Sequence, residues 1–208
     1  VSFYNESVKT AVPPTPEIFA VGIVDDIRTC VTSDFKTQDN LVYLVGKPTE
    51  KEFGGSEYYN MMKIAGGIAP KTDPEILQHC MKGLLTCMKK QYIAACHDLS
   101  EGGLGVCLAE MAIGGDIGAT IDVTEVTNGL RTDVKIFSES NTRWVVEVKK
   151  EVQTEFEKQL KKEHVSFTLL GKTKENHLII KDVTKTFVDL SIDVLRDCWR
   201  KPIWNFMG

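Results

Sequence analysis

CHDLSEGGLGVCLAEM, residues 96–111, decides how this chain is read. Asp98, Ser100 and Glu101 lead into Gly102-Gly103. Beyond them Leu104, Cys107, Leu108 and Met111 recur at i, i+3, i+4 and i+7, the spacing of one helical face. Just upstream, the short apolar run 93–96 reads as a buried strand. Strand, polar corner and helix in direct succession predict a layered α/β architecture.

Such a corner has two readings. Amides at the start of a helix attract anions, and glycines let a ligand come close to them. Gly102 and Gly103 would then bind nucleotide phosphate, with Ser100 donating a hydroxyl. Asp98 would repel a phosphate unless Mg²⁺ lay between them, because Mg²⁺ takes carboxylate and phosphate oxygens together. The plainer reading is that Asp98 or Ser100 caps the helix and the glycines allow close packing. The spacing fits neither GxxxxGK[ST] nor GxGxxG.

Other elements extend outward from this unit. Apolar runs at 18–24, 41–46, 118–123 and 143–148 read as strands, as do segments near 166–170, 176–181 and 186–190. Asp73 followed by Pro74 starts a helix, with Leu77, Met81, Leu84 and Met88 on one apolar face, widened by Ile76 and Cys80. Val152, Phe156 and Leu160 mark another helix, and 191–199 a terminal one. The expected fold class is α/β (α+β), a layered mixed β-sheet with helices.

Two further polar clusters stand out. FSESNTRW, 137–144, is a polar elbow between apolar segments, expected to join two strands. Loops on a rigid frame often carry function, so Glu139, Ser140 and Asn141 are site candidates; a solvated turn is the simpler reading. FGGSEY, 53–58, sets two glycines before a short helix. His97 reads as a hydrogen-bonded residue at a strand end rather than a base. No Ser/His/Asp or Cys/His arrangement stands out.

Composition narrows the classes. The 208 residues carry a net charge of −4, with 42% hydrophobic and 26% charged residues, ordinary for a soluble globular chain. No basic run follows a nucleic-acid backbone; Lys161-Lys162 sits beside Glu163. No apolar stretch approaches the about 18 residues that cross a membrane. The six cysteines show no CxxC and no zinc-ligand spacing. They read as reduced core residues, and the expected location is cytoplasmic. VSFYNES, 1–7, lacks the features of a signal peptide, and the chain has no initiator Met, so it is expected to be part of something longer.

Read in order, VSFYNE, PPTPEIFAVGIV, FGGSEYY, HDLSEGGLGVCLAEMAIGG and FSESNTRWVVEV make the chain resemble the C-terminal domain of the phosphoribosylformylglycinamidine synthase family. That family shares a superfamily with aminoimidazole ribonucleotide synthetase and selenophosphate synthetase. The resemblance implies an AIR synthase C-terminal-domain-like fold over 17–208. It implies that 1–16 is a linker from a missing N-terminal domain of the AIR synthase type. It also implies a part in ATP-dependent conversion of formylglycinamide ribonucleotide and ammonia to the amidine, with ATP and Mg²⁺ as cofactors. The missing N-terminal synthase domains and a glutaminase component would be its partners. The family's catalytic histidine belongs to the missing region, so no catalytic residue is expected here.

By the same resemblance, Ser2 matches a substrate-binding serine. Asp98 matches a metal ligand and Ser100 a nucleotide contact at an auxiliary site. Glu139-Ser140-Asn141 matches a substrate-holding loop that reads Glu-Ser-Gln in the family's other half. Two alternatives stay open: a non-catalytic nucleotide-holding or structural module, and a domain of another superfamily member. Selenophosphate synthetase would need a reactive Cys or Sec in a glycine-rich N-terminal segment, and none is visible.

Overall fold

Strand β1 (Leu41–Gly46) is buried at every position, and its side chains sort alternately into two cores. Val42 and Leu44 point into one, while Leu41, Tyr43 and Val45 point into the other. A strand buried on both faces needs no polar alternation, which is why LVYLVG is continuously apolar. The computed structural model describes residues 18–207.

Helix α1 (Glu57–Met61) and helix α2 (Pro74–Lys89) follow β1. Strand β2 (Ile93–Asp98) then leads into helix α3 (Gly103–Gly115) and strand β3 (Gly118–Asp122). Helix α4 (Thr132–Phe137), strand β4 (Arg143–Val148) and helix α5 (Gln153–Lys162) come next. Strands β5 (Phe167–Lys174), β6 (His177–Asp182) and β7 (Lys185–Ser191) precede helix α6 (Ile192–Met207). The strands form one sheet in the order β2-β4-β1-β5-β3-β6-β7. Every pair is antiparallel except β3 with β6.

Helix α3 supplies Leu104, Cys107, Leu108 and Met111 to one core, the face its spacing predicts. Helices α2 and α5 cover the opposite face with Cys80, Leu84, Cys87, Phe156 and Leu160. The result is a mixed sheet between two helical layers. The pairing makes β1, β2, β3 and β6 run one way, so their C-terminal ends share one rim. The loops after β1, β2 and β3 leave from that rim, and the 138–142 elbow enters it.

Several expectations need correction. Residues 18–24 form no strand among the described residues; Ile18, Phe19, Val21, Ile23 and Val24 are all exposed. A β-strand is a paired structure, and apolar composition supplies no partner. The segment before the elbow is a helix, α4, so the elbow joins helix to strand. On α2 the buried face runs through Cys80, Gly83, Leu84 and Cys87, while Met81 and Ile76 are exposed. Small side chains let α2 approach Leu160 and Val165 closely, so the helix turns them inward rather than its methionine. Cys30 and Cys198 are exposed rather than part of a core, and all six thiols are free.

Candidate functional site

The two glycine corners and the elbow are far apart in sequence, yet they meet at the rim. Glu139 joins them. Its Oε1 accepts the Gly102 N–H at 2.9 Å and the Glu57 N–H at 3.1 Å. Its own N–H donates to the Glu52 carbonyl at 3.3 Å. One carboxylate thus receives amides from the starts of α3 and α1, where negative charge is favoured.

Neither Asp98 nor Ser100 caps α3: its N-cap is Gly102, with no side-chain cap of its own. The Gly103 N–H donates to the Ser100 carbonyl at 3.1 Å. Both glycine amides expected to face a phosphate are therefore already bonded within the protein. The glycines have a steric reason instead. Gly103 has φ +61°, and a Cβ there would lie 2.4 Å from the Ser138 carbonyl oxygen.

Asp98 lies apart from these amides. It pairs with Trp144 across the β2–β4 ladder, and both line a groove with Cys96, Leu85 and Met88 on the α2 side. Ser100 Oγ donates to Asp98 Oδ2 at 2.6 Å. The neighbouring His97 turns toward α3: Nδ1 donates to the Asp98 carbonyl at 2.8 Å, and Nε2 lies 3.4 Å from Glu110 Oε2. The end of β2 thus divides a cluster that is contiguous in sequence, as alternation along a strand requires.

The elbow is organised by Arg143, which is fully buried. Nε donates to the Ser140 carbonyl at 2.6 Å, Nη2 to the Ser138 carbonyl at 2.7 Å and Nη1 to Thr49 Oγ1 at 2.7 Å. Burial pushes its guanidinium from the usual arginine range down to about 10, so it stays charged at neutral pH. Ser140 is buried as well, its Oγ accepting from the Glu50 N–H at 3.1 Å. Asn141 Nδ2 donates to Thr72 Oγ1 at 2.9 Å. Buried Glu52 accepts the Lys71 N–H at 3.0 Å, while its Oε2 has no hydrogen-bond partner among the described residues. Burial opposes ionisation of Glu52, but Ser140, the Lys71 amide and Lys47 outweigh it and hold the carboxyl below its ordinary value.

Arg143 and Glu52 are the organising residues that the sequence did not single out as central. Their chemistry reads as solvated surface, because charged residues are almost never fully buried unless paired. Ser2 and the expected 1–16 linker lie outside the described residues. Among the described residues, no three His, Cys, Asp or Glu side chains gather in a way that could hold a metal. Asp98 on its own still suits Mg²⁺, which commonly takes only one or two carboxylates and completes its shell with phosphate and water. Among the described residues, no helix is long and apolar enough to cross a membrane.

Comparison with known proteins fits this architecture. A phosphoribosylformylglycinamidine synthase subunit PurL from Thermoplasma acidophilum is 35% identical over 207 residues, covering 100% of this chain and 26% of the relative. The chain therefore spans about a quarter of that relative's length. The fold is similar to Thermotoga maritima PurL complexed with FGAR, with TM-score 0.71, 16% identity, and coverage of 80% of this chain and 29% of that one. Its ATP complex gives TM-score 0.69, 15% identity, and coverage of 80% and 27%. The family model for AIR synthase related protein, C-terminal domain, matches residues 37–182, which takes in strands β1 to β6 of the seven among the described residues. With most of its length in that match and the mixed sheet that goes with it, the chain belongs to the AIR synthase related protein, C-terminal domain, family.

Proposed function

We propose that this chain is the C-terminal α/β part of a phosphoribosylformylglycinamidine synthase. The whole enzyme would convert formylglycinamide ribonucleotide and ammonia to the amidine, using ATP and Mg²⁺. The observation that carries the reading is the similarity to a PurL subunit across the entire chain. The missing N-terminal synthase domains and a glutaminase component would be its partners, as the family resemblance implies. Free thiols support a reducing, cytoplasmic setting.

The chain's own residues divide the work. Asp98, exposed at the end of β2, would hold Mg²⁺, and Ser100 beside it would orient that carboxylate and contact nucleotide. Bound Mg²⁺ would offset phosphate charge there. Gly102 and Gly103 would act through shape rather than as amide donors, since both amides are bonded within the protein. Glu139, Ser140 and Asn141 would position the elbow, and Ser2 would contact substrate from outside the described residues.

Calorimetric titration of the purified chain with Mg·ADP tests the reading. Binding is expected in the wild type, about tenfold weaker or worse in Asp98→Ala, a loss of about 1.4 kcal/mol. Unchanged affinity in that variant removes Asp98 as a ligand. No binding in the wild type would favour the structural-module alternative. Amidine synthesis is expected only when the upstream domains and an ammonia source are added. Synthesis by residues 1–208 alone would refute the assignment.

A further inference from the structure

Burial alternates along the elbow. Ser138, Ser140 and Thr142 are buried, whereas Phe137, Glu139 and Asn141 are only partly so, the pattern of an extended stretch with one face inward. All three outward residues meet one segment, 57–72. Tyr58 stacks on Phe137 with ring centroids 5.0 Å apart, and its hydroxyl donates to Asp133 at 3.3 Å. The Glu57 N–H donates to Glu139 at 3.1 Å, and Asn141 Nδ2 donates to Thr72 Oγ1 at 2.9 Å. The segment therefore lies along the outward face of the elbow.

Few other contacts hold it. No α1 residue is buried, and every residue from 60 to 69 is exposed, Met61, Met62, Ile64 and Ile68 among them. The remaining ties run to the end of the loop after β1. The Gly54 N–H donates to the Ile68 carbonyl at 2.8 Å, and the Lys71 N–H donates to Glu52 Oε1 at 3.0 Å. Lys47 Nζ donates to the Lys71 carbonyl at 3.4 Å, and Tyr59 stacks on Phe53 with centroids 4.9 Å apart. Few buried apolar groups and solvent-exposed backbone bonds mark a region that opens at much lower free energy than the core.

Both ends of the segment suit a hinge. Gly55 precedes it at φ +81°, with nothing within 4 Å of a Cβ there. Asp73, the cap of α2, follows it. The closed arrangement also leaves a buried group unsatisfied: Glu52 is 3% exposed, and its Oε2 has no hydrogen-bond partner among the described residues. Such a group costs its full desolvation, which water entering on opening would relieve.

We propose that residues 57–72 form a flap that opens as one unit between Gly55 and Asp73, and that the closed flap blocks Glu139 and Asn141. Closed, Asn141 donates to Thr72 and Glu139 accepts the Glu57 amide. Open, both side chains face the rim and are free for a ligand, while the Gly102–Glu139 bond, which involves no flap residue, persists. A ligand that uses either side chain must first displace the flap, so the flap is an autoinhibitory contact. This gating is independent of the catalytic reading above.

Amide hydrogen exchange followed by NMR tests it on the purified 208-residue chain. In the wild type the Gly54, Glu57 and Lys71 amides should share one protection factor within about threefold, well below that of the β1 amides. Thr72→Val removes only the Asn141 bond, yet it should lower protection at Glu57 and Lys71 together by about fivefold, the worth of one hydrogen bond. Gly54→Ala acts as a wedge. Its backbone is not left-handed, but a Cβ there would lie 2.7 Å from the Ala69 nitrogen. That variant should lower protection at Glu57 and Lys71 further and expose the Asn141 side-chain amide to exchange, with β1 unchanged. Three amides protected to different degrees, or as strongly as β1, overturn the proposal. A Thr72→Val effect that stops short of Glu57 overturns it as well, even where Gly54→Ala fails to fold.

Discussion

The Glu139 carboxylate and the Gly102 amide, 37 positions apart, share a 2.9 Å hydrogen bond at the start of α3. The same oxygen takes the Glu57 amide, so one side chain sets the spacing between two helix starts. Glu139→Ala should leave both amides without their acceptor and cost about 1–3 kcal/mol. Glu139→Gln keeps an acceptor oxygen and should cost less. Urea denaturation gives the stabilities, and amide hydrogen exchange at Gly102 and Glu57 reports the bond directly. Equal losses in the two variants would mean that charge, not the bond, matters.

Gly103→Ala combines a left-handed backbone with a Cβ 2.4 Å from the Ser138 oxygen. The expected loss is about 2–4 kcal/mol, from backbone strain and overpacking together. Gly129 provides the control: its φ is +82°, but nothing lies within 4 Å of a Cβ there. Gly129→Ala should cost only the backbone component, about 1–2 kcal/mol. Denaturant midpoints that fail to separate the two would reject close packing as the reason for Gly103.

Lys135 and Asp182 form a buried pair at 3.1 Å, with side chains 5% and 10% exposed. Burial works against the Asp182 charge, but Thr132 and Lys135 prevail and lower its carboxyl below the ordinary range. An acid whose folded value is depressed adds stability above its unfolded value and loses it as pH falls through the folded one. Asp182→Asn should therefore cost about 3–5 kcal/mol at neutral pH, because Lys135 is left buried and unpaired. Its stability should also fall less steeply than that of the wild type on acidification. A parallel decline in both proteins would exclude this pair as an acid-sensitive contact.

Two of the six thiols should react quickly with a disulfide reagent in the native protein, namely exposed Cys30 and Cys198. Burial pushes Cys80 and Cys87 to about 11 and Cys96 to about 12, and raises Cys107 as well. These four carry little thiolate at neutral pH and should react only after denaturation. Fast release of more than two equivalents would show that the core opens readily.

The local elements of this fold were legible in the sequence because local chemistry sets them. Asp73 and Pro74 mark the start of α2, where Asp73 accepts from the Glu75 and Ile76 amides. The Leu104–Met111 spacing marks the buried face of α3. Helix caps and helical faces involve residues a few positions apart, so the chain reveals them directly. The clusters at 53–58, 98–103 and 137–144 were visible too, but only as separate candidates.

Tertiary structure alone decided what those clusters do to one another. It set Glu139 against Gly102, buried Arg143 under the elbow, and turned Asp98 toward the α2 side, away from the glycine amides. It also left 18–24 unpaired despite an apolar composition suited to a strand. Strand pairing and charge burial depend on partners far away in sequence, and their free energy exists only once those partners meet. That is why the elements followed from the chain and the site did not.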